Sequence, residues 1–348
     1  MNVALLNVKA PFVTGGAEYL IDSLATKIIE RGHRVVKVEI PFNWNTPQHV
    51  LSHMLACRLI RLDPETIDLA IAIKFPAYYV PFTNKKLWLV HQFRQVYELW
   101  GTNYQLFPST PEGEGARAMV IAADDRYLRE AKAIYTNSRI VAGRLKRFNN
   151  IDADGILYPP LLNPELFKPG EFGDYFFYPS RMNTIKRQEL AIEAMRHVRS
   201  KFKLVLAGKA DHDAYEKHLR YKIAHYGLTD RVKLLGFISD EEKARLMSNA
   251  YAALYIPFDE DSYGYVSLEA FHSHKPVITM IDSGGTDEVI EDGLNGLILQ
   301  PSAEALAEGM ERLWADRAAT RAMGEAAFET LDRHGIRWEH ILEKLLGK

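Results

Sequence analysis

Short apolar runs rich in β-branched residues alternate along this chain with longer stretches of helical spacing. That alternation is what most limits the fold. Residues 3–7 form an almost wholly apolar run, as a strand buried on both faces of a parallel sheet requires. Residues 16–31 then place Leu20, Leu24 and Ile28 on one helical face, and Gly32 stops the helix. Residues 35–40, 67–73, 87–90 and 133–136 repeat the strand signal, with helical stretches between them. Strands alternating with helices predict a parallel sheet covered on both faces. From Tyr158-Pro159-Pro160 to Lys168-Pro169-Gly170 the chain is proline-rich and continues neither element. Beyond it the alternation restarts. Strands are predicted at 175–178, 203–207, 232–235 and 252–256, and helices at 187–198, 214–226 and 241–248. The reading is two Rossmann-like domains, 1–160 and 161–332, with a hinge near 158–172. A short amphipathic helix follows at 338–346, within a last segment 333–348.

A length of 348 residues suits two such domains. The formal net charge of −2 leaves no global basic footprint of the kind that holds nucleic acid. The charge is uneven: residues 1–157 carry 19 Lys and Arg against 15 Asp and Glu, and the remainder 24 against 30. The one cysteine, Cys57, excludes an intramolecular disulfide and reads as a half-buried helix residue. No apolar run approaches the ~20 residues that span a bilayer. The first residues lack the basic region of a signal peptide and run straight into a strand pattern. A cytoplasmic protein is expected, with peripheral contact at an anionic membrane left open. Arg139, Arg144, Lys146 and Arg147 cluster on the amphipathic stretch 138–149, which suits either a solvated helix face or anionic lipid. Trp44, Trp88 and Trp100 suit core packing or sugar stacking.

Ligands of open parallel sheets lie beyond the carboxyl ends of strands, often at helix N-termini. Four such junctions stand out. Thr14-Gly15-Gly16-Ala17-Glu18 places two glycines before a helix, where backbone N–H groups can approach an anion or where the chain simply turns. The dinucleotide fingerprint G-x-G-x-x-G is absent. Between strand and helix, Ser180-Arg181-Met182-Asn183-Thr184-Ile185-Lys186 carries two cations suited to a diphosphate, or to a solvated loop. Residues 259–270 follow a strand and open an apolar helix near Tyr265. There Asp261 and Glu269 could take sugar hydroxyls, and the N–H groups of Val266 and Ser267 a phosphate. Acids at a helix start are also ordinary caps, which leaves Glu269, inside the helix, the less easily explained. The fourth junction, Asp282-Ser283-Gly284-Gly285, could bring backbone close to a ligand. The string Asp211-x-Asp213 reads as a helix cap and not as a metal site.

Taken in order, these motifs resemble a known family. They are Gly15-Gly16-Ala17-Glu18, Arg181 to Lys186, Asp261-x7-Glu269-Ala270, Lys275-Pro276-Val277-Ile278, Gly284-Gly285 to Glu288, and Asp292-Gly293-x-Asn295-Gly296. The set resembles the retaining GT-B glycosyltransferases, the group 1 family that includes sucrose synthase and many bacterial cell-surface sugar transferases. The resemblance spans nearly the whole chain and is strongest over 178–299. It implies an α/β GT-B fold, two Rossmann-like domains with parallel sheets facing across a cleft. The first domain would bind the acceptor and the second the nucleotide sugar, with the last helix packing back on the first.

The same resemblance implies transfer of a sugar from a nucleotide diphosphate sugar, UDP favoured, to an acceptor hydroxyl with retention, in polysaccharide, glycolipid or other glycoconjugate synthesis. The acceptor would be a carbohydrate, a lipid-linked sugar or a small molecule. Arg181 and Lys186 would neutralise the diphosphate, helped by the backbone of Gly16, Val266 and Ser267, and Gly15 would also belong to the nucleotide-sugar site. Glu269 would hold the ribose, and Gly236-Phe237-Ile238 would face the base. Gly208, Ser262, Tyr263, Gly264 and Tyr265 would complete the nucleotide-sugar site, and His91 would touch the donor sugar. Neither cofactor nor metal is implied. The family pattern begins with Glu where this chain has Asp261, one methylene shorter; Asp259 or Glu260 could fill that place. A nucleotide-sugar 2-epimerase on the same fold and a catalytically weak nucleotide-sugar-binding scaffold are the alternatives.

Overall fold

The computed structural model describes residues 1–9, 16–102, 105–260 and 262–347. The chain divides into two units, Met1–Pro159 with Arg337–Lys348, and Pro160–Ile336. In the first unit the apolar runs form β1 (Asn2–Lys9), β2 (Arg34–Pro41), β3 (Leu69–Lys74), β4 (Lys85–His91), β5 (Ala133–Thr136) and β6 (Gly155–Ile156). Its helices are α1 (Gly16–Glu30), α2 (Pro47–Leu59), α3 (Pro111–Tyr127) and α4 (Arg139–Asn149). In the second unit the strands are β7 (Tyr175–Pro179), β8 (Lys203–Ala207), β9 (Val232–Leu234), β10 (Ala252–Leu254), β11 (Val277–Met280) and β12 (Gly296–Leu299). Its helices are α5 (Gln188–Ala194), α6 (Asp213–His225), α7 (Asp240–Ser248), α8 (Tyr265–His272), α9 (Ala303–Ala315) and α10 (Arg317–Arg333). The last helix, α11 (Trp338–Leu346), belongs to the first unit.

Each unit holds one six-stranded sheet, ordered β2-β1-β3-β4-β5-β6 and β12-β11-β10-β7-β8-β9, with every pairing parallel. Both sheets are buried on two faces, which explains the unbroken apolar runs. In β1, Val3 and Leu5 face α1 and α11, whereas Ala4, Leu6 and Val8 face the opposite core. Trp338 of α11 meets Trp88 edge-on at 6.1 Å, and Ile341, Leu342 and Leu345 complete that face. The second unit packs an aromatic cluster in which Phe176 and Phe202 lie 4.8 Å apart and Tyr251 and Trp314 4.7 Å apart.

The order of strands reverses direction at one place in each sheet, between β1 and β3 in the first and between β7 and β10 in the second. Loops leaving the two flanking strands diverge there, and a crevice opens beyond their carboxyl ends.

Several local expectations need correction. The helix expected over 187–198 is shorter. A 3-10 turn at Thr184–Lys186 precedes it, Arg187 takes a left-handed conformation (φ 56°), and α5 ends at Ala194. Cys57 is fully buried and not half-buried, and its burial pushes the thiol up to about 12. Trp88 is a core residue whose Nε1 donates to the Leu157 carbonyl at 2.9 Å, so it is no sugar platform. Asp211 does not cap α6; its carboxylate accepts from Asn183 at 2.8 Å and lies 3.6 Å from Arg181.

Candidate active site

At the reversal of the second sheet, two loops bring opposite charges together. After β7, the Asn183 side chain accepts from the Lys186 backbone N–H at 3.0 Å and closes the turn. Arg187 then reverses the chain in its left-handed conformation, a costly one for a residue with a Cβ. Its guanidinium is held by two bonds to Asp282, 2.7 and 2.5 Å, and lies 5.1 Å from the Phe258 ring centre. Such a fork on a carboxylate fixes orientation as well as charge. With Arg187 anchored, Lys186 projects across the crevice. Its Nζ donates to the Tyr255 hydroxyl at 3.2 Å and to the Glu260 carboxylate. Both acceptors follow β10.

Tyr255 is the hub of this arrangement. Burial pushes its hydroxyl well above the ordinary tyrosine value; Glu260, Tyr178 and Glu269 push the same way, and Arg181 opposes them. A Cβ on Gly264 would lie 2.3 Å from the Tyr255 ring, and Gly264 has φ 69°. Only glycine satisfies both demands at the start of α8. The Gly284-Gly285 pair lies against the chain's own backbone at Glu260 and Ser262. A Cβ on Gly284 would lie 2.2 Å from the Glu260 carbonyl, and one on Gly285 2.8 Å from the Ser262 Cα.

Glu269 lies one turn into α8 and is buried. Its Oε1 is 2.6 Å from the Lys243 Nζ, while its Oε2 is buried without a hydrogen-bond partner. Burial raises the Glu269 pKa against the pull of Lys243. Burial alone would lower Lys243, but Glu269 and Asp240, whose carboxylate is 3.0 Å away, outweigh it and raise its pKa. A buried carboxylate oxygen without a hydrogen-bond partner is uncommon and costly.

The remaining expected residues fall as follows. Arg181 is exposed beside Asp211. Gly208 packs against the Ser180 carbonyl, where a Cβ would lie 1.9 Å away, and its N–H donates to Gly236 at 2.7 Å; it shapes the edge and offers no free donor. Phe237 is 79% exposed and Ile238 half-buried. Tyr263 is buried, and its carbonyl accepts from the Ser267 hydroxyl at 2.7 Å. The Ser267 N–H lies 3.2 Å from the Gly264 carbonyl, which corrects its reading as a free phosphate donor; Val266 follows Tyr265 in the first turn of α8. Asp261 and Gly15 lie outside the described residues.

In the first unit, Gly16 opens α1 and His91 ends β4, with its Nδ1 2.7 Å from the Gln92 carbonyl. In α4, Arg144 lies 3.3 Å from Glu98 and Lys146 2.7 Å from Asp152, so these two cations are paired. Among the described residues, no helix is long and apolar enough to cross a membrane, and no group of three His, Cys, Asp or Glu side chains could hold a metal. Sequence reasoning missed Lys243, Tyr255 and the Arg187–Asp282 fork. Nothing local signals them, because each acts on a partner 26 to 95 positions distant or, for Tyr255, is indistinguishable in sequence from a core aromatic.

The family model for glycosyl transferases group 1 matches residues 166–330. The human alpha-1,3/1,6-mannosyltransferase ALG2 is 28% identical over 224 residues, 56% of this chain and 53% of that protein. Its Dictyostelium discoideum counterpart is 32% identical over 126 residues, 35% of this chain and 30% of that protein. The matched part thus spans about half or less of these curated relatives. Among solved structures, sucrose-phosphate synthase from Thermosynechococcus elongatus superposes with a TM-score of 0.77 at 18% identity, covering 99% of this chain and 96% of that one. Anabaena HepE in complex with UDP and glucose superposes at 0.71 and 19% identity, covering both chains fully. Residues 166–330, within the second unit, thus match the group 1 glycosyl transferases, and the chain has the GT-B fold.

Proposed function

We propose that this protein is a retaining glycosyltransferase that uses a nucleotide diphosphate sugar, with UDP the favoured nucleotide, in glycoconjugate synthesis. The observation that carries the reading is Glu269: a buried carboxylate whose Oε1 is neutralised by Lys243 and whose Oε2 has no partner. A carboxylate held this way accepts hydrogen bonds from a vicinal diol, as ribose presents. The cations at the same sheet edge, Lys186 and Arg181, supply charge for a diphosphate. Glu260 and Asp211 pair with these cations; a diphosphate would compete with the carboxylates for them. UDP is supported by the HepE complexes, whose fold this chain shares.

In the proposed reaction the bond from the anomeric carbon to the diphosphate oxygen breaks, and a bond to the acceptor oxygen forms on the same face. The acceptor proton passes to the leaving phosphate. Lys186 and Arg181 stabilise the charge that develops on the leaving group. No metal takes part in this scheme, so activity is expected to be unchanged in chelator.

The test is calorimetry with UDP. Glu269→Gln keeps the shape but loses the charge, and is expected to weaken UDP about tenfold or more. Unchanged affinity would remove Glu269 from the ribose role. Incubation with a UDP-sugar but no acceptor separates the rival reading: accumulation of the 2-epimer would replace transfer by isomerisation.

A further inference from the structure

We propose that the outward face of α2 and α3 seats a second copy of this chain, packed antiparallel about a two-fold axis near Met119. α2 carries one charged residue, Arg58, in thirteen, and its exposed side turns from polar in the first half, at Gln48, His49 and Ser52, to apolar in the second, at Leu55, Ala56 and Leu59. Val50, Met54 and Cys57 are buried, yet Leu55 is 60% and Leu59 64% exposed. On α3, Met119 is 51% exposed. Large apolar side chains clustered on an exposed face mark a contact surface.

These side chains form one patch. The Gln48 side chain donates to the Glu112 carboxylate, which ties the first turns of α2 and α3 together. At the far ends Arg58 lies over the Tyr127 ring at 4.2 Å and bonds Glu130 at 2.7 Å, so the two helices run side by side in the same direction. Residues seven apart in a helix share a face to within about 20°. Leu55 is seven past Gln48, and Met119 is seven past Glu112. Both therefore stand about 10 Å along from the same contact, on the same outward side.

The charges on that side say what covers it. Glu112, Met119 and Arg126 are spaced by seven, so α3 presents an acid at one end, a base at the other and methionine midway. The outward positions between them, Gly115, Ala118 and Ala122, are exposed and uncharged. A two-fold axis near Met119 brings Glu112 of each copy opposite Arg126 of the other and closes apolar surface between. Such isologous self-complementarity is what a symmetric pair requires. An anionic bilayer lying along the same face would meet exposed Glu112 and Glu114 at one end and be repelled there.

Sedimentation velocity on the full chain, from ~1 to 100 µM, tests this in the range where surfaces of this kind associate. The expectation is a species of twice the 39.7 kDa chain mass, rising with concentration. Leu55→Lys and Met119→Glu, both at exposed positions, are expected to give monomers with unchanged melting curves. Glu112→Arg alone and Arg126→Glu alone are each expected to weaken association about tenfold, and the two together to restore it. A chain monomeric throughout, or a double reversal no tighter than the singles, would overturn the proposal. So would a monomer that binds phosphatidylserine vesicles and loses that binding in Met119→Glu, which would assign the face to a bilayer.

Discussion

Both sheets place a lysine against a glutamate where their strand order reverses. In the first unit Lys74, the last residue of β3, lies 2.6 Å from Glu18 of α1. In the second, Lys186 after β7 meets Glu260 after β10. The fold supplies the same crevice twice, so the pair itself does not distinguish them. What differs is the buried polar chemistry nearby. Asn7 of β1 is buried with both amide atoms unpartnered, a neutral group beside the first reversal. The first unit's buried acid, Asp124, is saturated: Tyr78, Tyr79 and Tyr97 donate to it at 2.8, 2.7 and 2.7 Å. In the second unit the buried Glu269 is half-satisfied. A saturated acid holds a core together, whereas an acid with a lone pair to spare can still receive a ligand.

Substitutions can break or sharpen this contrast. Lys186→Ala is expected to lower kcat/KM by about 100- to 1000-fold, as loss of a preorganised charge at a developing anion does. Lys74→Ala should leave UDP affinity within about threefold of the wild type. Equal losses of UDP affinity, read by calorimetry, would mean that the two crevices are not differentiated. Gly264→Ala would drive a methyl into the Tyr255 ring and push it off Lys186; a fall in turnover of at least about tenfold, with the melting point lowered, is expected.

Titration offers a milder test. Burial, opposed by the three tyrosines, raises the Asp124 carboxyl to about 6. The fold binds that proton more tightly than the unfolded chain, so this contribution to stability is present at low pH and is lost as pH rises through about 4 to 6. Lys275 in the second unit runs the other way. It is buried against the Gly170 and Glu171 carbonyls, and burial, then Arg321, lowers it to about 7. The unfolded chain binds that proton more tightly, so stability rises between pH 7 and about 10.5. Urea unfolding of Asp124→Asn and Lys275→Met across pH should flatten each slope separately; a slope that survives its substitution belongs to another group.

The two-sheet layout is legible in the sequence because parallel strands buried on both faces have no choice but continuous apolar runs, and most strand positions agree to within a residue or two. The start of α8 at Tyr265 is legible for a similar reason, since Gly264 ends one conformation and an apolar run begins. The site is legible only as a set of residue types. Arg187 breaks the helix expected across it because Asp282, 95 positions later, holds it in a left-handed turn. Lys186 would read as a solvated loop cation without Glu260 and Tyr255, which a different strand delivers. Glu269 stands out by being an acid in an apolar helix, but its neutralising partner Lys243 comes from α7 and leaves no mark in the local pattern.

The placement of α11 sets an order of events at the ribosome. One face of the first sheet, with Leu5, Ile71 and Trp88, is covered jointly by α1 and by the last helix of the chain. Synthesis must therefore pass through all of residues 160–336 before that face can be closed. The second unit is complete in sequence while the first still waits for its final nine-residue helix. Domains usually fold in the order they are made; here the unit that begins first is the one that finishes last, and a nascent chain carries an uncovered apolar face for the time it takes to make the other.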